Sequence, residues 1–184
     1  MNLNPQAHHR RSIRLRGYDY AQPGAYFVTI CTQGRECLFG DIVNGEMGLT
    51  AYGRVVRESW YYLPNHYGYV ELDEFVIMPN HVHVIITITG DTGVAVGAGL
   101  KPAPTMSAKP HGLPEIVRGF KTFSSRRINQ MRAKPGQPVW QRNYHEHVIR
   151  GERDLDHIRQ YIRDNPTQWA EDPDNPHNFG KRRP

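Results

Sequence analysis

The chain has 184 residues, with 23 Lys and Arg against 18 Asp and Glu and a net charge of +5. That length suits one domain with a real core, and the basic balance suits a polyanionic partner such as nucleic acid. Two cysteines without CxxC spacing, Cys31 and Cys37, argue against a disulfide framework or a thiolate zinc site; the polar, basic start has no apolar h-region, and no run approaches the roughly 18 apolar residues of a membrane span, so the expectation is a cytoplasmic protein with reduced thiols and no membrane contact.

Residues 1–24 are expected to form a basic arm. Arg10, Arg11, Arg14 and Arg16 are candidates for phosphate contact there, and Tyr18 and Tyr20 for base stacking; the same run also reads as a solvated tail. Ala25–Thr32 reads as a strand. Leu38–Thr50 contains a hairpin signalled by Asn44-Gly45. Ala51–Leu63 reads as a helix with Thr50 as N-cap, a stripe of Val55, Val56 and Trp60, and Pro64 at its end. Glu71–Met78 and His81–Thr89, rich in Val, Ile and Phe, read as two strands joined at Pro79–Asn80. Gly90–Gly112 is Gly-, Pro- and Ala-rich and is expected to be a flexible insertion.

Pro114–Met131 then reads as a helix with a core face of Ile116, Phe120, Phe123 and Ile128. Arg118, Lys121, Arg126, Arg127 and Arg132 carry almost one sign of charge, which favours a phosphate-facing surface over an ordinary solvated one. Val139–Trp140 and Tyr144–Ile149 read as a short and a longer strand. Asp154–Asn165 reads as the last helix, striped by Leu155, Ile158 and Ile162 and ended or kinked before Pro166. The polar tail, 170–184, is expected to fray. The order of elements is α+β, an antiparallel sheet with helices packed on it, and a ferredoxin-like or RRM-like arrangement fits it.

His81 and His83, two apart on a strand, point to one face, where converging neutral imidazoles suit a divalent metal. The spacing alone does not discriminate, because His145-Glu146-His147 repeats it. Those two histidines face opposite Tyr144, Glu146 and Val148, and lining a DNA cleft, carrying protons and simple packing are all open to them. Tyr161 and Asn165, four apart on one helix, share a face. A tyrosine beside an apolar stripe is ordinarily a core residue. The alternative is a nucleophile; a phenol of pKa about 10 would need a cation to offset the charge that develops on an attacked phosphate. His81 and His83, with Asn165 as an oxygen ligand, would make a mixed site suited to Mg²⁺ or Mn²⁺.

Three segments, MPNHVHVII (78–86), WQRNYHEHVIR (140–150) and IRQYIRDNP (158–166), resemble in that order the single-tyrosine HUH transposases, and more specifically the REP-associated tyrosine transposases. RRSIRLRGYDYAQPGAYFVTICT (10–32) is similar to the N-terminus of that group. The resemblance runs from Arg10 to Trp169, with Gly90–Gly112 as a variable insertion. It implies an RRM-like sheet carrying the histidine pair and a tyrosine on a C-terminal helix. It also implies metal-dependent cleavage of single-stranded DNA at REP-like hairpins, through a 5′-phosphotyrosine link that leaves a 3′-hydroxyl able to rejoin. By position, His81 and His83 are then metal ligands and Tyr161 the nucleophile. The wider class often has Gln four residues after the tyrosine. Here Asn165, one methylene shorter, stands there, and a water could replace it. A covalent phosphotyrosine conserves the energy of the broken bond, which agrees with the lack of a P-loop signature. Arg118, Lys121, Arg126, Arg127, His147 and the arm residues are the candidate DNA contacts, with Tyr18, Tyr20 or Tyr144 for stacking. A monomer is expected over a dimer.

Three other readings compete. A histidine-triad nucleotide hydrolase would need a third histidine where Ile85 stands. A non-catalytic DNA-binding module on the same sheet differs only in lacking a working Tyr161 and metal dependence. A structural zinc protein lacks thiolates near the pair. The expected organisation is thus an arm (1–24), one catalytic domain (25–169, with the 90–112 insertion) and a tail (170–184).

Overall fold

The structure is a computed structural model that describes residues 17–90 and 111–178. Arg10, Arg11, Arg14 and Arg16, positions 91–110 of the expected insertion, and 179–184 lie outside the described residues.

Strand β1 (Gly24–Cys31) is followed by a short hairpin, β2 (Gly40–Val43) and β3 (Glu46–Leu49). Asn44 and Gly45 both take positive φ, 54° and 79°, the geometry that a two-residue hairpin turn requires. Helix α1 (Ala51–Tyr61) begins where Thr50 Oγ1 accepts the Gly53 N–H at 3.2 Å, as expected of its N-cap. Pro64 does not terminate the helical run; it sits in the first turn of a second short helix, α2 (Leu63–His66), where its missing N–H costs nothing. Strands β4 (Val70–Ile77) and β5 (His81–Ile88), helix α3 (Leu113–Met131), strand β6 (His145–Val148) and helix α4 (Glu152–Asp164) complete the order.

The main sheet runs β4-β5-β1-β6, antiparallel throughout. With the small β2-β3 hairpin set aside, this is the βαββαβ order of a ferredoxin-like or RRM-like sheet. Tyr26, Val28 and Ile30 of β1 and Val82, Val84, Ile86 and Ile88 of β5 point to one face and make the main core with α1 and α3. The other face carries Phe27 and Thr29 of β1 and His81, His83 and Ile85 of β5, and α4 covers part of it through Ile158 and Ile162. β5 is thus buried on both sides, which is why HVHVIITI lacks the alternation of a half-exposed strand.

Four further expectations change. Phe123 is 39% exposed rather than core; the inward stripe of α3 is Leu113, Ile116, Val117, Phe120, Ser124 and Ile128, and Ser124 satisfies the buried Trp140 indole N–H at 2.9 Å. Val139–Trp140 is not a strand but a single bridge from Trp140 to Thr32. The stretch from Gly17 packs on the domain: Tyr20 is buried and its ring lies 6.0 Å from Tyr26. At the other end, 3₁₀ turns at Asn165–Glu171 and Pro176–Asn178 carry the chain back over the sheet, so 170–178 does not fray. Asn175 is buried there, with Nδ2 donating to the Trp169 carbonyl and Oδ1 accepting the His177 N–H.

Candidate active site

β5 delivers the pair: His81 is fully buried and His83 nearly so, with Nε2 atoms 3.0 Å apart. Asn80 sets the first ring. Its Nδ2 donates to the carbonyls of Arg35 (3.2 Å) and Asp174 (2.7 Å), so the atom 2.8 Å from His81 Nδ1 is Oδ1, which only accepts. His81 therefore carries its proton on Nδ1 and presents a bare Nε2. His83 Nδ1 lies 2.8 Å from Thr29 Oγ1, a hydroxyl that can donate or accept and so suits either tautomer. Burial holds both imidazoles neutral. It pushes His81 well below the ordinary range, with His83 and Arg35 adding to the effect, and it lowers His83 to about 3, helped by His145.

α4 brings the phenol. Tyr161 is 41% exposed, its hydroxyl lies 3.4 Å from His83 Nε2, and its ring stands edge-on to Phe27, which itself stacks on His83. Two Arg–carboxylate pairs seat this helix. Arg159 grips Asp73 through two bonds of 2.9 and 2.5 Å, and one turn later Arg163 reaches Glu74 at 2.5 Å. Both acceptors sit where the β4–β5 register shifts between Leu72 and Phe75, which turns neighbouring carboxylates of β4 towards the helix.

Asn165 lies just past the α4 C-terminus in αR geometry (φ −55°, ψ −43°). It is 3% exposed and hydrogen-bonds the Tyr161 phenol, while its Oδ1 is buried without a hydrogen-bond partner. Burial raises the Tyr161 phenol above its usual value, against the lowering effect of that bond. Asp172, unmarked by any sequence pattern, also reaches the pair: Oδ2 is 4.0 Å from His81 Nε2, and ligand atoms of His81, His83 and Asp172 lie within 4.8 Å of one another.

Neutral imidazoles, a bare Nε2 held by an outer hydrogen bond, an orphaned amide oxygen and a nearby carboxylate are what a divalent cation requires of a protein. The residues fit such an ion. They do not make His83 a general base for the phenol. Burial raises the phenol and lowers the imidazole, so a proton passing from Tyr161 to His83 would move against both shifts.

Strand register puts His145 opposite Thr29 and His147 opposite Phe27, so both histidines share the site face. His147 pairs with Asp154 at 2.9 Å and holds that carboxyl below its usual range. The candidate DNA contacts on α3 are elsewhere. α3 lies on the opposite side of the sheet from Tyr161. There Arg118 and Arg126 line, with Arg142, a groove of about 780 Å³ against residues 136–142 and Tyr144. Lys121 is engaged inside the fold, donating to the carbonyls of Gln141, Arg142 and Asn143 at 3.0–3.3 Å, and Arg127 pairs with Glu58 at 2.6 Å. Tyr18 packs edge-on against Tyr20 at 4.9 Å.

No protein-family model matches the chain. It is 41% identical over 175 residues to an uncharacterized protein of Haemophilus influenzae, covering 92% of this chain and 94% of that one. A second protein of the same organism is 29% identical over 153 residues (82% of this chain, 74% of that one), and its given name is that of a candidate REP-associated tyrosine transposase. Among solved structures, a REP-associated tyrosine transposase bound to a REP hairpin superposes with a TM-score of 0.56 at 21% identity, covering 84% of this chain and 73% of that one.

Proposed function

From the chain's likeness to the REP-associated tyrosine transposases, we infer that it belongs with them and cleaves and rejoins single-stranded DNA at the foot of REP-like hairpins, with Tyr161 as the nucleophile. The observation that carries this reading is the Tyr161 hydroxyl lying 3.4 Å from Nε2 of a buried, neutral histidine pair.

The Tyr161 oxygen attacks phosphorus and the bond from phosphorus to the 3′-oxygen breaks. The phenol loses its proton and the 3′-oxygen gains one, leaving a 5′-phosphotyrosine and a free 3′-hydroxyl. Attack by a 3′-hydroxyl on the phosphotyrosine reverses the step and joins strands. His81 and His83 would hold a divalent cation, Mg²⁺ or Mn²⁺, with Asn165 Oδ1 as an oxygen donor, and such an ion would supply polarisation of the scissile phosphate and offset charge on its oxygens. Asn165, through its amide, orients the phenol. Phe27 fixes the tyrosine ring from the side and shields the pair from water. Arg118, Arg126 and His147 are the described candidates for phosphate contact, and the site works in a single chain.

The test is a denaturing-gel assay with labelled hairpin oligonucleotides in Mn²⁺, Mg²⁺ or EDTA. A metal-dependent protein–DNA band that is absent in Tyr161→Phe is expected. Tight binding with no adduct on any hairpin would favour a non-catalytic DNA-binding module instead.

A further inference from the structure

The cation site read above has two neutral nitrogens and a neutral amide oxygen, and such a set holds a hard divalent ion weakly. We propose that Asp172, eleven residues beyond the nucleophile, is the anionic ligand of this site, delivered by the chain that folds back after α4. The inference rests on the reading that His81 and His83 hold a cation, and it adds the charged member.

Its geometry is specific. Asp172 Oδ1 accepts the Asp174 N–H at 2.6 Å, while Oδ2 stands 4.0 Å from the bare Nε2 of His81. Two lone-pair donors thus face each other, with the His83 nitrogen completing a group whose members all lie within 4.8 Å. The neighbouring guanidinium, Arg35, pairs with Asp174 and also acts on the Asp172 carboxyl from a distance, where it only partly offsets the effect of burial. The Asp172 side chain is largely buried, 10% exposed, and faces imidazoles that carry no charge. A cation between these donors would satisfy every one of them, and two histidines with one carboxylate are a familiar set for a divalent metal with open positions.

The segment is also anchored well enough to act as a ligand arm. The Asn80 side chain that fixes the His81 tautomer donates to the Asp174 carbonyl, and the Trp169 ring lies 6.1 Å from His81. Asn175 and Asn178 side chains pin the turn from the other side, donating to the carbonyls of Trp169, Ala170 and Asp172 at 2.9 Å. The tautomer of one ligand and the position of another therefore depend on the same few bonds.

The experiment is calorimetric titration of the full chain with MnCl₂ in the absence of DNA. Wild type and Asp172→Asn are compared, with His83→Ala as the variant that removes a nitrogen donor. The Asn variant keeps the side-chain oxygen that Asp174 N–H requires; should it not fold by circular dichroism, Asp172→Ser carries the same expectation. Mn²⁺ affinity should fall at least about tenfold in Asp172→Asn, and the Mn²⁺-induced rise in melting temperature should shrink with it. Affinity within twofold of wild type in Asp172→Asn, while His83→Ala abolishes binding, would overturn the role of Asp172 and leave the histidine site standing. No Mn²⁺ uptake by wild type would overturn both.

Discussion

Replacing Ile162 with Ala tests whether the nucleophile's helix is seated as a unit of its own. Among the described residues, α4 buries only Ile158 and Ile162, against Ile85 with Phe27, Val76, Ile149 and Leu155 around them. A fully buried isoleucine stabilises by about 1.5–3 kcal/mol, so the apolar seat amounts to about 3–6 kcal/mol. That is at or below the roughly 5–15 kcal/mol expected of a whole domain, whose main core lies across the sheet. Ile162 is 1% exposed, and its truncation costs about 2–5 kcal/mol, most of the seat. The helix should then open locally while α1, α3 and the sheet stay folded. Hydrogen exchange read by mass spectrometry should show amides of Glu152–Asp164 exchanging about 30-fold faster or more, with β1 and α3 much less affected. Covalent adduct formation should fall in parallel, because Tyr161 rides on that helix. Equal acceleration in α4 and β1 would refute the reasoning, since it would make α4 part of the global unit. So would unchanged exchange in α4.

Tyr161→Phe should lose all covalent attachment and keep hairpin affinity within about twofold by gel shift, because one oxygen is removed and the ring stays. In EDTA, urea unfolding should show stability full above pH 6.5 and lost as the pH falls from there towards 3. The unfolded chain takes up protons over that window and folded His83 does not, which costs about 1.4 kcal/mol per pH unit, with His81 adding in the same direction. His83→Leu should flatten that slope, and an unaltered slope would contradict the assignment. Gly53→Ala should lower the thermal midpoint by the cost of about 1–3 kcal/mol of overpacking, because a Cβ there would collide with the Phe39 carbonyl oxygen; a stabilised variant would show that α1 can shift freely. Lys121→Gln should lower the melting temperature and leave the salt dependence of DNA binding alone, since Lys121 holds three backbone carbonyls. Arg126→Gln should do the reverse, reducing the slope of log affinity against log salt by about one.

The chain by itself determined everything that depends on short-range periodicity. Richness in Val, Ile and Phe marked the strands, Asn44-Gly45 the hairpin and Thr50 the start of α1, and the order of these elements led to the antiparallel α+β sheet. His81 and His83 converge because a strand repeats every two residues, and Tyr161 and Asn165 approach because a helix repeats every 3.6. What needed the tertiary structure is whatever two distant segments decide together. Phe123 shares the helical pattern of Phe120 but turns outward, because the α3–sheet contact is narrower than the apolar run in the sequence. Arg118 and Arg126 read as a phosphate-facing surface, and only the fold shows that the sheet stands between them and Tyr161. Asn80 looks like a turn residue from its neighbours alone, yet its bonds to Arg35 and Asp174, 45 and 94 residues away, fix the tautomer of His81. Asp172 has no local signature at all. A carboxylate's local sequence carries no record of which imidazole it will face, and only the return of the chain over the sheet brings it there.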